Sequence, residues 1–175
     1  LDYEVTGASC TVTVKAESAD GSDASAVFTI TITNTNPTVT DNDVNYAEST
    51  SCSADVVDLA NSGDQTSITW SIASGNEDGD GDGTDAFAIA ASTGVITVAD
   101  CGDIDDEEAA DASFDLVVRV TDGTTNSDET ITITITDTAP TVTDADTNLA
   151  ESTSCAGTVV DLATTGDQTG LTWSI

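Results

Sequence analysis

The chain has 175 residues, of which 33 are Asp or Glu and only 2 are Lys or Arg, giving a formal net charge of −31. Two basic side chains, Lys15 and Arg119, cannot neutralise a run of phosphates, which excludes nucleic-acid binding; the same sign opposes docking on anionic lipid without a bridging metal ion. The absence of His removes Ser-His-Asp catalysis and His-ligated zinc.

So much like charge opposes compaction unless salt screens it or bound cations neutralise it. Disorder is the other outcome for an acidic chain with 4% aromatics. Against it, 38% of the residues are hydrophobic and they fall at strand spacing. Thr29-Ile30-Thr31-Ile32 and Ile131-Thr132-Ile133-Thr134-Ile135 alternate with period two, the pattern of a strand with one buried face. No apolar run is long enough to cross a bilayer, so direct membrane insertion of this segment is not expected. The first residue is Leu and no signal peptide precedes it, which reads as a mature piece or an excerpt.

Self-similarity organises the chain. Pro37–Ile72 laid on Pro140–Ile175, an offset of 103 residues, gives 26 identities in 36 positions without gaps. Leu1-Asp2-Tyr3-Glu4 aligns at the same offset with Ile104-Asp105-Asp106-Glu107. Residues 1–36 are therefore expected to be the C-terminal part of one repeat, 37–139 a complete repeat and 140–175 the N-terminal part of a third. Within the complete repeat, short strands are expected at about 38–47, 54–59, 67–72, 86–90, 95–99, 113–121 and 129–136, the count of a β-sandwich. Turn signals separate them at Asn61-Ser62-Gly63-Asp64, Ser92-Thr93-Gly94 and Asp122-Gly123. Trp70 and Trp173 read as core anchors of their repeats.

Two further signals carry chemistry. Cys10, Cys52, Cys101 and Cys155 contain no CxxC pair and fit no zinc or thioredoxin spacing. They read as disulfides of an oxidising, extracellular protein, with free buried thiols as the alternative. In Asn76-Glu77-Asp78-Gly79-Asp80-Gly81-Asp82-Gly83-Thr84-Asp85, the residues Asp78, Asp80, Asp82 and Gly83 stand at positions 1, 3, 5 and 6 of an EF-hand-like loop. Position 12 is Ile89 rather than Glu, so either Asp85 or a neighbouring loop completes a calcium site, or the segment is a mobile acidic loop.

Jointly, the proline-initiated first strand with Glu48 near its end, Ile68-Thr-Trp70-Ser-Ile72, Phe87-Ala-Ile89 followed by Ser92-Thr93-Gly94-Val95, Leu1-Asp2-Tyr3-Glu4 and Asp122-Gly123 resemble a cadherin repeat. The likeness is to the cadherin-like repeats of large microbial cell-surface adhesins and extracellular filament proteins. It implies tandem seven-stranded Greek-key β-sandwiches, end to end, with junctions stiffened by Ca2+. Carried over by residue, one junction would use Glu48, Asp105, Glu107 and Asp137, and the preceding one Asp2 and Glu4. The chain departs from that pattern where the family's DxD reads Leu59-Ala60-Asn61 and where Asn34 replaces the linker acid, so fewer or weaker ions per junction are expected. Asp41, Asp43, Asp144 and Asp146 are possible substitutes. The likeness also places Cys52 and Cys101 at one pole, where a bridge between them would close a loop of about 50 residues. Cys155 would then pair beyond the chain, or with Cys10 of another copy.

The function implied is a non-catalytic structural or adhesive array serving as stalk or filament shaft, partnered by other copies of itself. A self-assembling subunit that complements strands between copies is the first alternative. A carbohydrate-binding accessory module is the second, although its four Trp and Tyr residues are few and mostly strand-embedded. Paired-carboxylate glycosidase chemistry has no pocket signature to support it.

Overall fold

The computed structural model describes residues 2–40, 43–48, 52–106, 112–143, 151, 162–166 and 170–175. A single helical turn, α1 (Tyr3–Thr6), leads into β1 (Ser9–Glu17) and β2 (Asp23–Thr31), an antiparallel hairpin with Ser9 opposite Thr31 and Glu17 opposite Asp23. After Pro37 come β3 (Thr38–Val39), β4 (Val44–Ala47), β5 (Asp55–Asp58), β6 (Asn61–Ser62) and β7 (Thr69–Ser74). They are followed by β8 (Phe87–Ile89), β9 (Val95–Val98), β10 (Ser113–Thr121) and β11 (Asn126–Thr136). One sheet has the order β4-β11-β10-β7 and the facing one β5-β9-β8, with β3 paired to β6. β10–β11 and β8–β9 are hairpins, but β4 lies beside β11, β7 beside β10 and β5 beside β9, the non-sequential pairing of a Greek-key β-sandwich.

Alternation fixes the core. Phe114, Leu116, Val118 and Val120 of β10 and Ile131, Ile133 and Ile135 of β11 are all buried, while the residues between them are less covered. From the facing sheet they meet Phe87, Ile96 and Val98, and Phe87 stands edge-on to Phe114 with ring centroids 5.0 Å apart. Each such side chain contributes about 1.5–3 kcal/mol of burial, which is what holds an acidic chain compact.

The structure corrects four expectations. The first strand, expected unbroken over 38–47, is two strands, because β3 pairs antiparallel with β6 and β4 pairs parallel with β11. Asn61-Ser62, expected as turn, is β6 itself. β11 starts at Asn126, not 129, since the polar run Asn126–Glu129 continues the ladder against Val118–Thr121 without an apolar period to announce it. Trp70 is a core residue at 5% exposure, but Trp173 is 55% exposed. The ring of Trp70 lies against Gly94 and its strand pairs with Val120, and the counterparts of both residues one repeat later fall beyond residue 175.

Two ladders repeat one another. β12 (Thr141–Val142) and β13 (Thr164–Thr165) pair as β3 and β6 do, 103 residues further on. Gly63 and Gly166 take the same left-handed turn, at φ 83° and 86°, each beneath a backbone carbonyl just before the proline, of Asn36 and Ala139 respectively. The β1–β2 hairpin is exposed along nearly its whole length, with Val12, Val14, Val27, Phe28 and Ile30 open to solvent.

Gly75 closes β7 at φ 83°, and a Cβ there would stand 2.0 Å from the carbonyl oxygen of Asp115. Backbone cannot yield as a flexible side chain does, so Gly75→Ala is expected to destabilise by at least about 1–2 kcal/mol, read as a lower urea midpoint. An unchanged midpoint would mean that the β7–β10 ladder is not as tight as this contact.

Candidate metal centres

Acidic side chains mark three places, and at two of them carboxylates lie within 4.8 Å of one another. At the first, Asp2 caps α1: its Oδ1 accepts the Val5 N–H at 3.0 Å, and the turn then projects Glu4. Asp64 follows β6, with its Oδ1 accepting the Thr66 N–H at 2.9 Å. Asp122 occupies the β10–β11 turn, 2% exposed, with Oδ1 accepting the Thr124 and Thr125 N–H groups at 2.7 and 2.6 Å. One oxygen from each of Glu4, Asp64 and Asp122 lies within 4.8 Å of the others. Asn34 joins them by donating from Nδ2 to Asp122 Oδ2 at 3.1 Å and to Thr125 Oγ1 at 3.2 Å. The segment before Pro37 and the sandwich after it therefore meet beside Asp122 at an acidic cleft of about 280 Å³ lined by Asp2, Glu4, Asn34, Asp64 and Thr66.

The electrostatics of this cleft are unbalanced. Burial raises the Glu4 carboxyl above the usual carboxylate range, and the charges of Asp64 and Asp122 add to the rise. Asp122 is held down to about 2, first by the Thr125 N–H. Asp64 is lowered too, first by the Thr66 N–H. Glu4 Oε1 and Asn34 Oδ1 are buried with no hydrogen-bond partner. Acceptor oxygens without donors, among carboxylates without a nearby Lys, are the donor set of a hard cation such as Ca2+. Asp2, expected as a ligand, is outside the converging set and serves as the cap that aims Glu4.

The second place is the end of β4. Glu48 is 9% exposed, its Oε1 accepting the Thr138 N–H at 2.7 Å and its Oε2 the Asp106 N–H at 3.0 Å. The structure thus brings Glu48 beside the immediate neighbours of Asp105, which is half-buried, and of Asp137, which is exposed. Glu107 lies outside the described residues, as do Asp41, Asp144, Asp146 and Cys155. Asp43 does other work: its Oδ1 accepts the Thr132 N–H at 2.8 Å, bracing β4 on β11.

The third place is the loop between β7 and β8. Asn76 closes its neck, Oδ1 accepting the Phe87 N–H at 2.9 Å and Nδ2 donating to the Phe87 carbonyl at 2.7 Å. Asp78 organises the interior: Oδ1 accepts the Gly81 and Asp82 N–H groups at 2.7 and 3.1 Å, and Oδ2 that of Gly83 at 2.9 Å. Asp80 and Asp82 each accept the N–H two residues on, at 2.9 and 2.8 Å. Across from the loop, the β9–β10 connection supplies Asp100 and Asp103, giving two overlapping triads, Asp78–Asp80–Asp103 and Asp80–Asp82–Asp100. That connection is tied down by a disulfide from Cys52 to Cys101, with Cα atoms 5.4 Å apart. Cys10 is a free thiol.

Sequence reading missed Asp64, Asp122, Asp100 and Asp103. Asp64 had a signal: Gly63-Asp64-Gln65-Thr66 recurs unchanged as Gly166-Asp167-Gln168-Thr169, whereas the Asn61-Ser62 before it does not recur. Leu59, in the first position of the expected DxD, is a core residue at 4% exposure and has no access to the cleft.

No helix among the described residues is long and apolar enough to cross a membrane. No protein-family model matches the chain, and no curated protein does. Solved structures do. Mouse clustered PcdhgC3 EC1-3 superposes with a TM-score of 0.53 at 17% identity over 78% of this chain and 46% of that one. The Protocadherin GammaB4 extracellular domain gives 0.53 at 17% identity, covering 94% and 29%. Drosophila N-cadherin EC1-3 gives 0.50 at 18% identity, covering 74% and 43%. The chain spans less than half the length of each of these, and the likeness at such identity is one of fold: the β-sandwich is cadherin-like.

Proposed function

We propose that the chain is a stretch of a non-catalytic, extracellular tandem array of cadherin-like sandwiches, stiffened at its junctions by Ca2+ and serving as a stalk or filament shaft of the kind found in large microbial surface proteins. Residues 1–36, 37–139 and 140–175 belong to three successive repeats. Glu4, Asp64, Asp122 and Asn34 hold the ion at the first junction, and Glu48, Asp105, Glu107 and Asp137 at the second. The observation that carries this reading is the first cleft: ligands from both sides of Pro37 converge there and leave buried oxygens unpaired. A bound cation would neutralise those carboxylates and link the two sides, which is a mechanical function rather than a catalytic one. The Cys52–Cys101 bond supports an oxidising, extracellular location.

Small-angle scattering of the full chain, with calcium and with chelator, tests the reading. Calcium is expected to give a single extended particle, and Asp64→Asn to keep the chelated profile in calcium. Identical profiles under all conditions would overturn it. A second reading, self-assembly by strand complementation, draws on the open apolar face of the β1–β2 hairpin; growth of the particle with protein concentration would favour it. A sugar-binding role finds less support, since Trp70 and Tyr46 are buried and cannot serve as a stacking platform.

A further inference from the structure

We propose that the β7–β8 loop and the β9–β10 connection form a calcium site internal to one repeat, with Asp103 as its buried anchoring ligand beside Asp78 and Asp80, and with Asp82 and Asp100 on its outer side. It does not depend on the junction reading, because every ligand lies within the same sandwich.

The loop alone lacks the bidentate acid of an EF-hand, since position 12 is Ile89 in β8. The fold supplies a replacement from 23 residues beyond Asp80. Asp103 is 0% exposed, and its Oδ1 accepts the Gly79 and Asp80 N–H groups at 2.9 and 3.0 Å, which locks it under the loop. Its Oδ2 is buried with no partner, although one oxygen each of Asp78, Asp80 and Asp103 lies within 4.8 Å of the others. A buried carboxylate oxygen facing two other carboxylates must share a proton or meet a cation.

Gly102 leaves room for the acids to approach. Its φ does not require glycine, yet a Cβ there would stand 2.6 Å from Asp80 Oδ2 and 3.2 Å from Asp100 Oδ1. The acid oxygens occupy the space a side chain would take, so glycine here lets Asp80 and Asp100 lie close to the turn. The two triads share Asp80, and no basic residue stands among their five carboxylates, a donor set for a hard, oxygen-seeking ion.

The test is residue-resolved calcium titration of the full chain, following the backbone amide resonances of Gly79, Asp80, Gly81 and Gly83. They are expected to shift and saturate within the millimolar range of extracellular calcium modules. Asp103→Asn keeps an Oδ1 to accept the two N–H groups and replaces the unpaired oxygen with a donor facing Asp78 and Asp80. It is expected to melt higher than the parent in chelator, lower than the parent in calcium, and to bind at least tenfold more weakly at the loop. Asp80→Asn, on the exposed side, gives the same tenfold loss without altering a buried position. Glu4→Gln leaves the loop titration unchanged, which separates this site from the junction. Loop amides that stay still to about 10 mM calcium, or that saturate equally in Asp103→Asn, would overturn the proposal.

Discussion

Removing divalent cations is expected to lower the melting temperature of the chain by roughly 10–20 °C, and about 1 mM calcium to restore it where sodium chloride of equal ionic strength does not. The size follows from linkage: one site occupied at a hundredfold excess over its dissociation constant adds about 2.7 kcal/mol, and a small domain shifts by about 4–8 °C per kcal/mol. The specificity follows from where the charges are. Both basic residues are already engaged, Lys15 with Glu17 and Asp23 at 3.2 and 3.5 Å and Arg119 in a two-point pair with Asp128 at 2.7 Å. Nothing cationic is left for the acid clusters. Screening at physiological salt acts over about 8 Å, so it quiets the diffuse field of the surface and does little for carboxylate oxygens within 4.8 Å of one another. Full rescue by salt alone would therefore refute site-bound ions and leave only general screening of the net charge.

What the sequence disclosed was periodic, and what it concealed was long-range. Alternation in Phe114-Asp-Leu116-Val-Val118-Arg-Val120 marks both the strand and its buried face, because side chains two apart must share a side of a sheet. The Cys52–Cys101 bond followed from likeness to a family, and the structure has it. The switch of the first strand between sheets was not legible, because β3 and β4 are individually too short to carry a period. Asp122 read as the acid of a turn, since the Asp-Gly pair says nothing of the Asn34 side chain that covers it from 88 residues away. Asp103 had no local signal at all. Its burial arises only when Gly79 and Asp80, more than twenty residues earlier, fold their N–H groups onto it. Ligand sets assembled from turns are visible in sequence as single acids, and only the fold says which of them meet.

Breaking the Cys52–Cys101 bond, by the double substitution Cys52→Ser, Cys101→Ser, is expected to cost about 4 kcal/mol, which is a large share of the 5–15 kcal/mol that holds a typical domain together. The bond joins residues 49 apart and so removes much of the freedom of the unfolded chain. It also sits inside the acid cluster, because Cys101 stands between Asp100 and Asp103, which supply ligands to the two triads. With the bond gone, an ion must order that connection itself, so it binds the variant more weakly than the parent. The two stabilisations are therefore coupled, and the variant should lose more in calcium than in chelator, by at least about 0.5 kcal/mol. Urea midpoints of parent and variant, each with and without calcium, measure the four corners of this cycle. If the loss is the same in both, the turn around Asp103 is held by its hydrogen bonds to the β7–β8 loop and not by the disulfide. If the loss is smaller in calcium, the ion substitutes for the bond, and the site is ordered without help from Cys101.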